Sequence, residues 1–280
     1  MSTATGNATS TSAATNTLTM GASRIRYEIM TYFRQGDSVF FTFLFPLVML
    51  TIFSVAFSET NFGGPGAEVS AATYYLPGML AAGVLLSGLQ NMAVDIAVEK
   101  GDGTLKRLAG TPLSPISFFI GKIGQVLVTG LLQAALLIVV AHFAFGVDLP
   151  ADPGRWATFA WVFLLGVATC AILGIGLSGL PRSGKSATAV IIPIVLVLQF
   201  ISGVYLAFTN LPEWLQNFAS IFPLKWLAQG MRSVFLPSTF EAAEAGGSWN
   251  LVGVAIATGI WLVVGLVVAR ITFRWIRKDS

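Results

Sequence analysis

Residues 179–186, GLPRSGKS, satisfy G-x-x-x-x-G-K-[ST], the spacing with which a glycine loop cradles phosphate while a lysine reaches its oxygens. That chemistry needs a strand to deliver the loop to a helix, and an acidic residue on a second strand to hold Mg²⁺. Here the loop separates two apolar runs, Pro181 lies inside the supposed cradle, and no acidic residue occurs between Ser186 and Glu213. The segment reads as a tight turn marked by Arg182 and Lys185. Asp95 and Glu99 stand at i, i+4, as a working carboxylate pair could, but they precede Lys100 and Lys106 on what reads as a solvated face. The single cysteine, Cys170, lies in an apolar run and can form no intrachain disulfide. The single histidine, His142, reads as an interfacial packing residue, so no cluster of metal-ligand type is expected. No nucleophile–base pair stands out, and an intramembrane enzyme is disfavoured.

Two other groups are polar where apolar residues dominate. Gln90 and Asn91 precede Asp95 at one end of an apolar run, and Gln199, Ser202 and Tyr205 share an i, i+3, i+6 face near the end of another. Polar side chains there face protein or a cavity rather than lipid. They would either line a transport path or make interhelical hydrogen bonds worth ~1 kcal/mol or less each; both readings stay open.

The elements that must position these residues follow from composition. Hydrophobic residues make up 55% of the 280 and charged residues 10%, against about 25% charged in a soluble domain. Mean hydropathy is +0.77. The apolar residues form six runs, at about 38–58, 73–94, 116–145, 156–180, 187–207 and 250–273, each near the ~20 residues that cross a bilayer. Period-2 alternation is absent, so the runs are helices rather than barrel strands. The expected fold is an all-α integral membrane protein with six transmembrane helices.

Lys and Arg set the orientation. With the N-terminus in the cytoplasm, 13 of the 16 basic residues lie on that side and only Arg155, Lys225 and Arg232 lie outside. Both termini are thus expected in the cytoplasm, and a pI of about 9.2 reflects this bias rather than nucleic-acid binding. Residues 1–20 read as a disordered tail lacking the basic and apolar regions of a signal peptide. Residues 21–37, with Ile25, Ile29, Tyr32 and Phe33 between Arg24, Arg26, Glu28 and Arg34, read as an amphipathic helix on the cytoplasmic leaflet. The outer segment 208–249 is punctuated by Pro212, Pro223 and Pro237 and carries Trp214, Phe218, Phe222 and Trp226. It reads as two short, half-buried helices, with Lys225 and Arg232 near the lipid headgroups.

Asp95–Pro115, DIAVEKGDGTLKRLAGTPLSP, is the charged connector between the second and third runs. Gly103 and Thr104 permit a helix start, Leu105 and Leu108 form an i, i+3 apolar pair, and Gly110 and Pro112 end it. Such a segment suits contact with something outside the membrane.

Glu99 to Leu108, EKGDGTLKRL, followed by Thr111-Pro112-Leu113-Ser114, resembles the cytoplasmic motif of ABC-2 type transporter permeases, including the daunorubicin-resistance type. Leu211-Pro212-Glu213-Trp214-Leu215, Phe222-Pro223-Leu224 and Arg232 resemble that family's outer hairpin before the last span. The resemblance covers residues 21–278, and the motifs agree in order and sidedness. One departure is Lys106, where an acidic residue is common. The resemblance implies a permease half of an ATP-driven exporter in the plasma (inner) membrane, for a drug, lipid or glycolipid. A second permease, identical or related, and cytosolic ABC ATPases carrying ATP and Mg would complete it. This chain would bind no cofactor, contact membrane lipids and bind no nucleic acid. The connector would act as a coupling helix, Leu105 and Leu108 entering a groove of the ATPase and Glu99, Lys106 and Arg107 at its rim. The alternatives are a stand-alone secondary transporter, which would normally show acids near a span centre, and a non-transporting scaffold.

Overall fold

A computed structural model describes residues 6–63 and 68–273. Ten helices organise them: α1 (Gly6–Phe33), α2 (Gly36–Ala56), α3 (Ala71–Gly101), α4 (Thr104–Ala109), α5 (Pro115–Phe145), α6 (Pro153–Leu177), α7 (Gly184–Ile201), α8 (Glu213–Ala219), α9 (Pro223–Phe235) and α10 (Leu251–Thr272). Six of them, α2, α3, α5, α6, α7 and α10, are long and apolar enough to cross a membrane, and no strand occurs among the described residues. The chain is an all-α, multi-pass membrane protein.

α3 is the central helix. Protein covers 72% of its apolar stretch, against 22% for α2 and α7 and 17% for α10, so the last three leave most of their surface uncovered by this chain. α3 packs against α2, α5, α6 and α9, and α10 lies along α6. Close approach depends on glycine: a Cβ on Gly174 of α6 would fall 2.7 Å from the Gly88 carbonyl oxygen of α3, the small-residue contact by which helices associate in lipid. Both α2 and α3 contain a π turn, Phe40–Leu44 and Leu86–Asn91. The two are tied, since the Asn91 amide nitrogen donates to Thr42 Oγ1 over 2.7 Å.

Two boundaries depart from the sequence reading. α3 continues through Asp95 and Glu99 to Gly101, so the first third of the connector is the end of a span. Helix α1 begins at Gly6, inside the segment expected as a disordered tail; residues 6–19 contain no proline to stop a helix from propagating. α1 packs along α5, with Glu28 and Tyr32 buried while Tyr27, Met30 and Phe33 stay exposed.

Candidate functional site

α4 hangs from the end of α3 by a two-residue turn. Gly103 takes φ +81°, a left-handed conformation that favours glycine, and the Asp102 carboxylate accepts from the Thr104 backbone N–H at 2.8 Å. Slight burial pushes the Asp102 carboxyl up, but the Thr104 hydrogen bonds and the Arg107 charge outweigh it and hold the group below its ordinary value. Arg107 folds back over the same turn, its Nη2 donating to Thr104 Oγ1 at 2.9 Å.

The inward face of this helix corrects the expected groove contact. Leu105 is 3% exposed and belongs to the protein's own core, while Leu108 packs partly against that core. A six-residue helix offers one apolar side, and the neighbouring bundle covers it. Lys106, Arg107, Gly110, Thr111 and Pro112 form the exposed side.

Glu99 is not at a groove rim either. It turns inward to Lys122 of α5, Nζ to Oε1 2.7 Å, and the same ammonium lies 3.0 Å from Glu28 Oε2 of α1. Arg24 completes the cluster, its Nη2 2.6 Å from Glu28 Oε1. Three helices therefore meet on one buried lysine at the α4 end of the bundle. Lys122 is one of the 13 basic residues on the expected cytoplasmic side, and a lysine within an apolar run is itself a signal of a buried partner.

The GLPRSGKS segment packs against this same end. Gly184 lies so close to α3 that a Cβ on Gly101 would fall 2.8 Å from its backbone nitrogen. Ser183 caps the first turn of α7 by exchanging hydrogen bonds with Ser186. No strand leads into the loop, Arg182 and Lys185 are exposed, and the turn reading stands in place of a phosphate cradle.

The candidate path residues separate into two sets. Asn91 joins Thr42 within the paired π turns, beside Gln90. Gln199 and Tyr205 are joined to each other, hydroxyl to Oε1 at 2.7 Å, and with Ser202 they are buried inside this chain.

At the opposite end, α8 begins after Pro212 and α9 after a turn with Pro223 in its first helical positions. Trp214 is 69% exposed. α9, by contrast, is packed among α3, α6 and α10, and Lys225 and Arg232 are buried within the protein rather than exposed on its surface. Arg232 makes a bidentate pair with Glu244, Nε to Oε2 2.5 Å and Nη2 to Oε1 2.9 Å, and reaches the Gly203 carbonyl at 3.3 Å. Burial pushes the Glu244 carboxyl up, yet the Arg232 charge prevails and holds it below the ordinary range. Lys225 donates to Gln229 Oε1 at 2.5 Å and lies 3.8 Å from the Trp226 ring centroid; burial pushes its ammonium down to about 8. The pair borders a cavity of about 290 Å³ also lined by Tyr74, Phe208 and Phe240. Glu244 was missed because it sits in a stretch that reads as a polar loop.

Six spans, a short helix hung from the central span and a two-helix segment before the last span, its second helix buried, define a helical multi-pass membrane protein. The sequence profile of the ABC-2 type transporter family matches residues 23–236, and the chain belongs to that family. It is 22% identical over 186 residues to the probable multidrug ABC transporter permease YbhR of Escherichia coli (strain K12), covering 66% of this chain and 50% of that protein. It is 26% identical over 198 residues to the putative transport permease ycf38 of Cyanophora paradoxa, covering 70% and 67%. With ABC transporter G family member 20 of Dictyostelium discoideum it shares 26% over 186 residues, covering 64% and 24%. The chain thus spans about half the length of the bacterial relative it matches.

Proposed function

We propose that this chain is the membrane half of an ATP-driven exporter. It pairs with a second permease, a copy or a related chain, and with cytosolic ABC ATPases that carry ATP and Mg. The observation that carries the reading is the mechanical continuity between α4 and α3: an exposed polar helix joined by a two-residue turn to the most buried span. A partner that grips α4 pulls on the helix against which α2, α5, α6 and α7 pack. The excess of Lys and Arg on the α4 side supports a cytoplasmic reading of that side, with the Arg232–Glu244 end outside and the membrane the plasma (inner) membrane. The cargo class is a hydrophobic or amphipathic molecule such as a drug, lipid or glycolipid, and the name of the bacterial relative, a probable multidrug permease, favours the first.

The test is affinity purification of the full chain from its own membranes, followed by ATP hydrolysis and cargo flux in proteoliposomes. An ABC ATPase should co-elute. Inserting two glycines between Gly103 and Thr104 keeps the exposed face of α4 but slackens its link to α3. The variant should retain the ATPase and lose cargo-stimulated hydrolysis and flux. Failure of any ATPase to co-elute, with flux persisting after ATP depletion, overturns the reading.

A further inference from the structure

Charge is sorted by direction at the α4 end of the bundle. Glu28, Asp95 and Glu99 surround the buried Lys122. The exposed positions keep the opposite sign: Lys100 at the end of α3, Lys106 and Arg107 on α4, and Arg182 and Lys185 on the 179–186 loop. The loop and the α3 terminus are in backbone contact, since a Cβ on Gly184 would fall 3.0 Å from Val98 Cα and one on Gly101 2.8 Å from the Gly184 nitrogen. No side chain separates them. Among the described residues no carboxylate forms an ion pair with Lys100, Lys106, Arg182 or Lys185. The one exposed acid here, Asp102, is engaged by the Thr104 N–H.

We infer that α4 and the 179–186 loop form one basic docking surface, and that the partner ATPase meets it with an acidic groove. The inference rests on the proposed pairing with an ATPase and specifies the chemistry of the contact. Five basic side chains against the single exposed carboxylate of Asp102 leave this end net positive, which favours an acidic partner and accelerates its encounter. A membrane surface fits less well. Helices that lie on lipid bury an apolar face carrying Trp, Phe or Leu, whereas the leucine of α4 best placed to anchor it, Leu105, is turned into the protein core. The residues that sequence spacing marked as a phosphate loop thus gain a role in partner choice, through Arg182 and Lys185.

The experiment measures ATPase affinity for the full chain in nanodiscs across a range of salt concentrations. Two variants carry it, Lys106→Gln with Arg107→Gln on α4, and Arg182→Gln with Lys185→Gln on the loop. Each should weaken binding about 10-fold and flatten the salt dependence, with the two effects adding for well-separated charges. Arg182 and Lys185 are exposed and make no ion pair among the described residues, so the loop variant should melt with the parent, while the α4 variant should lose only the small contribution of the Arg107–Thr104 bond. If the loop variant binds with unchanged affinity and salt dependence, the loop is not part of the surface and the inference fails. If both variants bind like the parent while the ATPase still co-elutes, the pairing stands and the basic reading falls. If the parent binds no ATPase at any salt concentration, the pairing itself is wrong. An effect seen with anionic phosphatidylglycerol nanodiscs and absent with phosphatidylcholine would assign the basic face to the membrane and overturn the inference.

Discussion

Lys122 and Glu28 form a buried ion pair between α5 and α1, Nζ to Oε2 3.0 Å, with both side chains 4% exposed. Glu99 joins the same ammonium from α3. Removing one member of a buried pair leaves an uncompensated charge, at a cost of about 3–5 kcal/mol. Lys122→Met should therefore lower the melting temperature of the detergent-solubilised chain sharply. Adding Glu28→Gln and Glu99→Gln to that variant should recover much of the loss. A lone Lys122→Met that melts with the parent would mean the cluster contributes no stability.

Gln133, near the middle of α5, is fully buried, and neither its Oε1 nor its Nε2 has a hydrogen-bond partner. Its amide presses on Gly83 of α3, where an added Cβ would collide with it. Replacing an unpaired buried polar group by an apolar one of similar shape removes a desolvation penalty of about 1–3 kcal/mol. Gln133→Leu should raise the melting temperature, and Gly83→Ala should lower it. The pair Gly83→Ala with Gln133→Ala should melt above Gly83→Ala alone. A lower melting point for Gln133→Leu would show that the amide has a partner in the membrane.

The spans were legible because lipid leaves the backbone few choices: long apolar runs become helices whatever their neighbours. Direction was harder to read. Leu105 and Leu108 at i, i+3 announce an apolar side of α4, but nothing local says whether that side meets a partner or the bundle. Glu99 reads as solvated beside Lys100 because its counter-ion, Lys122, lies 23 residues on, across a turn. Arg232 reads as a headgroup anchor because Glu244 sits in a stretch that looks like a loop; only the turn through Ser238–Ala243 returns it to α9. The π turns left no recognisable trace, since the extra residue changes pairing and not composition.

The Arg232–Glu244 pair sets a dependence on acid. A carboxyl held below its ordinary value of 4.5 stabilises the fold above that value and loses the contribution as pH falls through its folded value. Thermal melting of the parent should therefore drop more steeply on acidification than that of Glu244→Gln. Parallel profiles would mean that the pair does not titrate with unfolding.

Lys225 sets a dependence of opposite sense. Its folded value is about 8 against an ordinary 10.5. Between those values the unfolded chain binds a proton that the folded chain lacks, so stability rises with pH. Below about 8 both states are charged and the fold carries the whole cost of the buried ammonium. Lys225→Met should remove the alkaline rise and melt at or above the parent at neutral pH, with Gln229 still held by the Ser248 carbonyl at 3.0 Å. An alkaline rise that survives in the variant would assign it to another group.

Orientation underlies the proposed mechanism and is open to direct labelling. Cys170 is buried, so a Cys170→Ala background should carry no reactive thiol and fold with little change. Asn210, between α7 and α8, and Ser183, in the turn before α7, are both exposed and lie at opposite ends of the same span. The sequence places 13 of 16 basic residues on the Ser183 side of the expected topology, and the proposed orientation puts that side in the cytoplasm. Asn210→Cys should then react with a membrane-impermeant maleimide in intact cells, and Ser183→Cys only after permeabilisation. The reverse pattern would put α4 outside, beyond reach of any cytosolic ATPase. It would remove both the proposed coupling and the basic docking surface at once, whatever the stability measurements returned.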